Sequence, residues 1–115
     1  MIAMDAKDRE AVEHWVASLE DLDREVARLA TLCQLTVLDS AVIDRVLRGD
    51  QSVCGTENPA AFSRLQGVLK LHFAVRQKAG AALGQPRASE IEKFVGNSLK
   101  QAFPGLEIRW PTGRV

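Results

Sequence analysis

Apolar residues recur every three or four positions along most of this chain, and this pattern predicts helices. In the first segment the apolar positions alternate between these two spacings: Val12, Trp15, Leu19, Leu22, Val26, Leu29 and Cys33. Such a spacing is the seam of a heptad repeat, typical of a helix that packs along another helix. Because neither Gly nor Pro interrupts residues 4–33, we predict one continuous helix roughly 45 Å long.

A short second helix is predicted over residues 41–48. Asp39 or Ser40 is a suitable N-cap, and Gly49 lies where a helix often ends in a glycine of positive φ. The stretch RGDQSVCGTENP, residues 48–59, has no apolar period and is interpreted as the connection to the next helix. Its Arg-Gly-Asp tripeptide would be an adhesion motif only in an exported protein. The opening residues lack the basic and apolar regions of a secretory signal, so export is not expected.

Two further helices complete the predicted architecture. The third is predicted over residues 59–83, after an Asn58–Pro59 start of the kind that favours a helix N-terminus. The fourth is predicted over residues 89–103 with Ser89 as its cap, although Pro86 also suits an earlier start. Its expected apolar face consists of Ile91, Phe94, Val95, Leu99 and Phe103.

Residues 105–115 are predicted to form an extended tail. Leu106, Ile108 and Trp110 alternate with charged residues, which is the period of a strand. We expect the tail to pair with residues 35–38 or to lie across the helices with Trp110 as its anchor; a frayed terminus is the alternative. The sequence therefore predicts one all-α domain over all 115 residues. We expect a four-helix bundle-like fold with a long first helix, one short helix, two further helices and an extended C-terminal tail.

Charge is balanced overall but differs between the two parts of the chain. Lys and Arg number 15, as do Asp and Glu. Residues 1–50 hold 11 acids and 6 bases, net −5, whereas residues 51–115 hold 4 acids and 9 bases, net +5. We interpret this contrast as two parts that attract each other when packed; a basic face for an acidic partner or nucleic acid is the alternative. No apolar run approaches the ~18 residues of a membrane span.

The cysteines and the glycines predict neither a metal nor a cofactor. Cys33 and Cys54 have no CxxC spacing and are expected to be free thiols in a reducing cytoplasm. The chain has no glycine-rich phosphate loop. Glu20, Asp21 and Asp23 are assigned to a solvated helix face, which lacks the apolar setting needed for acid–base catalysis.

His72 and Arg76 form the most informative polar pair. They are separated by one helical turn on an apolar face, so their side chains are able to meet. We interpret His72 as a buried, hydrogen-bonded residue and Arg76 as reaching the rim of the bundle along its aliphatic stem. Residues 71–84, LHFAVRQKAGAALG, resemble the phosphorylated helix of histidine phosphotransfer domains. That family has Lys three and Gly four residues after the histidine, where this chain has Val75 and Arg76, so we do not assign it to the family.

These features favour a small, cytoplasmic, non-enzymatic interaction or regulatory module that forms a homodimer or binds another protein. The expected interaction residues are Trp15, Leu19, Leu22, Val26, Leu29 and Trp110. The first alternative is a DNA-binding transcriptional regulator that uses the basic C-terminal half, with residues 89–101 as its recognition helix. The second is an enzyme or phosphotransfer domain centred on His72. Neither a membrane nor a cofactor is expected.

Overall fold

The computed structural model describes the backbone of residues 6–110 and the side chains of residues 9–110. The predicted helix start at Met4 and tail residues 111–115 lie outside this range. Four helices are present in the described part of the chain, as predicted. The same part also contains two short strands. The elements in chain order are α1 (Ala6–Leu32), β1 (Val37–Leu38), α2 (Ser40–Leu47), a 3₁₀ turn (Gln51–Val53), α3 (Pro59–Leu83), α4 (Gln85–Ala102) and β2 (Glu107–Ile108).

Helix α1 is continuous, which confirms the prediction from its uninterrupted periodicity. Its 27 residues span about 40 Å, most of the 49 Å long axis of the molecule. The helix ends where Gln34 adopts a φ of 56°, and the amide of Leu35 donates to the carbonyl of Ala30 at 2.9 Å. This is the hydrogen bond of a Schellman ending, formed here around a glutamine.

The caps of α2 and α3 are those that the sequence predicts. The Asp39 carboxylate accepts a hydrogen bond from the amide of Val42 at 3.0 Å. The Asn58 side chain accepts from the amide of Ala61 at 3.2 Å. Gly49 follows α2 with a φ of 86°. Each cap satisfies an amide that the first helical turn leaves without a partner.

The Arg-Gly-Asp tripeptide forms part of the connection between α2 and α3. Arg48 pairs with Asp44, one turn back in α2, at 2.9 Å. Asp50 accepts a hydrogen bond from the Arg45 guanidinium at 2.9 Å and caps the 3₁₀ turn through the amide of Ser52. Both charged members of the tripeptide are therefore engaged locally, in agreement with the interpretation as a connecting loop.

The junction of α3 and α4 differs from the prediction. Helix α4 begins at Gln85, not at Ser89, and Gly84 alone separates it from α3. Pro86 lies in the first turn, where its missing amide hydrogen costs nothing because that position has no intrahelical acceptor. The expected face of α4 is also partly wrong, because Phe94 is 61% exposed.

The tail pairs with the segment after α1, as predicted. β1 and β2 are parallel, and Val37 is paired with Glu107. The amide of Glu107 donates to the carbonyl of Thr36 at 2.9 Å, and the amide of Arg109 donates to Leu38 at 2.7 Å. The tail thus satisfies the backbone groups of one strand edge against the other segment of strand character in the sequence.

The apolar core has two parts. The larger lies where the C-terminal half of α1 meets α2, α3 and the tail, and Val26 and Leu69 are among its fully buried residues. The smaller contains Leu19, Ile91 and Val95, where the N-terminal half of α1 meets α4. Helix α1 packs against both α3 and α4, and Leu19, Val26 and Leu29 of its apolar seam are buried within the chain.

Candidate functional site

Between the two apolar clusters lies a buried polar pair formed by Asp23 and His72. Asp23 follows Leu19 by one turn of α1, and His72 follows Leu69 by three residues in α3. Only 4% of Asp23 and 2% of His72 is exposed. The carboxylate Oδ1 of Asp23 is hydrogen bonded to Nε2 of His72. The pair joins α1 to α3 between the two apolar clusters. Positions as buried as these two are usually occupied by apolar residues.

The other ring nitrogen of His72 has a different environment. A carboxylate only accepts hydrogen bonds, so the bond to Asp23 puts a proton on Nε2. Nδ1 is buried and has no hydrogen-bond partner among the described residues. This leaves one unmatched polar atom in the interior, a cost that folded proteins usually avoid.

Trp110 covers the imidazole from the tail side. Its indole stacks on the His72 ring with centroids 4.0 Å apart and planes inclined by 13°. Phe73 meets both rings edge-on, at 6.1 Å from His72 and 5.9 Å from Trp110. Because Trp110 lies two residues beyond β2, the β1–β2 pairing determines where the indole lies.

Arg76 links this aromatic cluster to α4. Its guanidinium binds both carboxylate oxygens of Glu92, at 2.7 and 3.1 Å. The same group lies 5.8 Å from the ring centroids of Phe73 and of Trp110, within the range of a cation–π contact. Only 10% of the Arg76 side chain is exposed. It therefore connects α3, α4 and the tail through one ion pair and two aromatic faces.

A groove opens beside this cluster, between α4 and the tail. Lys93 and Lys100 stand on its α4 side, and Trp110 and Ile108 form its tail side. The complete lining is Arg76, Gln85, Ser89, Glu92, Lys93, Gly96, Asn97, Lys100, Ile108 and Trp110. The groove continues into a smaller, apolar cleft lined by Gly96, Leu99, Lys100, Phe103, Leu106, Ile108 and Trp110. One continuous depression therefore has polar walls at one end and an apolar floor at the other.

One edge of β2 has no neighbouring strand among the described residues, because the sheet consists of β1 and β2. Glu107 and Arg109 donate to the segment of β1. Backbone groups alternate in direction along a strand, so the amide and carbonyl of Ile108 point away from β1. Ile108 also lines the groove. The strand whose Ile108 lines the depression therefore has one backbone edge without a neighbouring strand among the described residues.

The sequence-predicted interaction residues divide into two sets. Leu19, Val26 and Leu29 are buried within the chain, whereas Trp15 and Leu22 are half-buried. Trp110 lies at the groove, as part of the aromatic cluster. The heptad seam thus contributes mainly to the interior of this chain.

Asp23 is the site residue that sequence reasoning missed, and its assignment to a solvated face was wrong. A straight α-helix has 3.6 residues per turn and drifts away from a heptad seam. In α1 the buried face rotates toward Asp23 and Ala27, which leaves Leu22 half-buried. The small residues Ala27 and Ala30, both fully buried, were the available signal that a partner helix lies on that side.

The comparisons with known proteins give no relative from which a role could be carried over. No protein-family model, no curated protein and no solved structure matches this chain. Within residues 6–110, none of the helices combines the length and apolar character needed to cross a bilayer. The described residues contain no group of three or more His, Cys, Asp or Glu able to hold a metal ion.

Proposed function

We propose that this protein is a cytoplasmic, non-enzymatic interaction module on a four-helix bundle-like scaffold. It binds an extended, acidic segment of a partner protein in the groove between α4 and β2. The observation that carries the proposal is that β2 has an edge without a described neighbouring strand and that its Ile108 lines a groove whose opposite side bears Lys93 and Lys100.

The strand edge supplies the affinity in this mode of binding. An extended peptide that lies beside β2 donates to and accepts from the backbone of Ile108, adding a third strand to the sheet. Two-residue strands are short, so side-chain contacts must add to the backbone bonds. The apolar cleft between Leu99, Leu106 and Trp110 is the place for an apolar side chain of the peptide.

The lysines supply the preference for acidic residues. Lys93 and Lys100 lie one heptad apart on α4, about 10.5 Å along the helix axis. An extended strand covers this distance in about three residues. Both lysines are exposed, and neither forms an ion pair with another described residue, whereas the adjacent Glu92 is engaged by Arg76. The uncompensated charge on the groove is therefore positive, which attracts acidic segments.

The burial of His72 supports the proposal that the protein is not an enzyme. A general acid or base must reach within hydrogen-bonding distance of its substrate. His72 is 2% exposed, its Nε2 is bonded to Asp23, and Trp110 covers its face. The imidazole is better suited to holding α1, α3 and the tail together than to meeting a substrate or a phosphoryl donor.

Self-association is the second candidate, and it depends on the end of the bundle where the N-terminal half of α1 meets α4. There, Val12, Trp15 and Val16 are only half-buried beside the small cluster around Leu19. Phe94, on α4, is largely exposed. A second copy that covered these side chains would bury apolar surface that one chain leaves in water. Sedimentation at increasing protein concentration tests this candidate, and a monomer at every concentration would reject it.

Affinity capture from the native cell, with and without nuclease, tests the main proposal. The bait is the wild-type chain, compared with Lys93→Glu/Lys100→Glu and with the matched control Lys70→Glu/Lys78→Glu on exposed positions of α3. We expect a protein partner that survives nuclease and is lost only with the groove variant. Capture that disappears with nuclease would instead favour the DNA-binding alternative.

A further inference from the structure

The two cysteines, distant in sequence, are brought together by the end of α1 and the loop before α3. Cys33 directly follows α1, and Cys54 directly follows the 3₁₀ turn. Both are free thiols; Cys33 is buried and Cys54 is half-buried. The amide of Gly55 donates to the carbonyl of Cys33 at 3.0 Å. Cys54 also packs against the core cluster that contains Cys33.

Gly55 makes this close approach possible. A Cβ at this position would lie 2.9 Å from the Cβ of Gln34 and 3.2 Å from its backbone oxygen. A contact as short as 2.9 Å is essentially never observed for a real Cβ atom, and one of 3.2 Å is unusually tight. The glycine therefore lets the loop backbone lie directly against residues 33 and 34, with Cys54 beside Cys33.

The side chain of Cys54 lies near enough to Cys33 to affect the ionisation of its thiol. Burial, followed by the charge and the side-chain hydrogen bond of Cys54, raises the pKa of Cys33 to about 11. The hydrogen bond from the Gly55 amide to the Cys33 carbonyl holds the backbones of the two cysteines side by side, as a disulfide between them requires.

We propose that Cys33 and Cys54 are a dithiol modification site that forms an intramolecular disulfide by exchange with a small disulfide such as oxidised glutathione. The Cys54 thiolate attacks one sulfur of the reagent, forms a mixed disulfide and releases one thiolate. The Cys33 thiol then loses its proton and attacks Sγ of Cys54, which releases the second thiolate. The two cysteines are oxidised by two electrons, and the reagent is reduced to two thiols.

The order of the two steps follows from exposure. Cys54 is the accessible thiol, whereas Cys33 is fully buried and its high pKa disfavours the attacking thiolate. Burial, the largest cause of the raised pKa of Cys33, acts in both steps. The second attack therefore depends on the position of Cys33 beside the mixed disulfide, which gives its thiol a high effective concentration.

The bond would close residues 33–54 into a loop. This loop contains β1, α2 and the 3₁₀ turn. Oxidation would therefore hold β1, the strand that pairs with the C-terminal tail, in a loop closed at the end of α1. A closed loop restricts the conformations of the unfolded chain, so the oxidised chain is expected to be more stable than the reduced chain. This inference is independent of the groove and of the function proposed for it.

Mass spectrometry of the chain after incubation with oxidised glutathione tests the inference. The wild-type chain should lose two hydrogen atoms and keep no glutathione. Cys33→Ala should retain one glutathione on Cys54, because no second thiol displaces it. Cys54→Ser should remain unmodified while folded, because Cys33 is buried. Circular dichroism confirms that each variant has kept its helices.

A comparison with the urea-unfolded wild-type chain measures how far the fold favours the bond. Because the folded chain holds the two cysteines side by side, its ratio of intramolecular to mixed disulfide should be about tenfold higher or more than that of the unfolded chain. An equal ratio in the two states would overturn the inference. So would a folded wild-type chain that accumulates the same stable glutathione adduct as Cys33→Ala, or one that does not react.

Discussion

The indole of Trp110 stacks on the imidazole of His72, with ring centroids 4.0 Å apart. The two residues come from the tail and the middle of α3, and the contact completes the enclosure of the Asp23–His72 pair. Because the same indole forms one side of the groove, the residue that closes the interior also contributes to the surface proposed to bind a partner.

Trp110→Ala should lower the free energy of unfolding by about 2 kcal/mol, less than for a fully buried tryptophan because Trp110 is half-buried. The variant loses the stack on His72 and the apolar contacts of the tail. Urea denaturation provides the measurement. Arg109→Ala is the control, since its exposed ion pair with Glu107 contributes little; equal effects of the two changes would show that the tail does not contribute through its tryptophan.

Asp23→Ala should lower the free energy of unfolding by about 2–3 kcal/mol, because it leaves a second nitrogen of the buried His72 ring without a partner. Asp21→Ala, two residues earlier on the exposed face of α1, should change it by less than about 0.5 kcal/mol. Thermal or chemical denaturation distinguishes the two. Similar values for Asp21 and Asp23 would contradict the assignment of a buried pair.

Leu29→Ala should lower the free energy of unfolding by about 3 kcal/mol, since Leu29 is 1% exposed within the larger cluster. Leu32→Ala is the matched control at the end of the same helix, where the leucine is 45% exposed, and a change below about 1 kcal/mol is expected. The comparison should be made at low protein concentration. An effect of Leu29→Ala that appears only at high concentration would indicate a seam filled by a second chain.

Asp50 should titrate with a midpoint near 2 in the folded chain. The Ser52 hydroxyl, followed by the Arg45 side chain and the Ser52 amide, lowers its pKa from 3.8 to about 2. A lowered folded-state pKa means that Asp50 stabilises the fold above pH 3.8, and that this contribution is lost as the pH falls toward 2.

Carbon-detected NMR of the carboxyl group gives the Asp50 midpoint directly. Ser52→Ala should raise it toward the ordinary value, because it removes the largest cause of the shift. Ser63→Ala, at an exposed position of α3, is the control and should leave the midpoint unchanged. A midpoint near 4 in the wild-type chain would show that the loop hydrogen bonds are not maintained in solution.

Local signals in the sequence predicted much of the fold. The uninterrupted α1, the Asp39 and Asn58 caps and the alternating tail each depend on residues close to one another in the chain. The Gln34 ending of α1 was not predictable in the same way, because the left-handed conformation is usually marked by glycine or asparagine. Nor was the start of α4, where a proline is compatible with both a break and a first turn.

The candidate site depended on contacts that a one-dimensional pattern does not contain. His72 and Arg76 were identified because a histidine and an arginine on an apolar face require partners. Their acids come from other helices: Asp23 is 49 residues from His72 and Glu92 is 16 residues from Arg76. The proximity of Cys54 to Cys33 likewise follows from the approach of a loop to a helix end.

The central claim is that the groove between α4 and β2 holds an extended acidic segment. An NMR titration of isotope-labelled protein with a capped peptide of alternating Glu and Val tests it most directly, with a Lys–Val peptide as the charge control. The account predicts shifts concentrated at the Ile108 amide and the Trp110 indole, absent with the Lys–Val peptide and in Lys93→Glu/Lys100→Glu. Shifts located elsewhere on the chain, or equal responses to the two peptides, would contradict it.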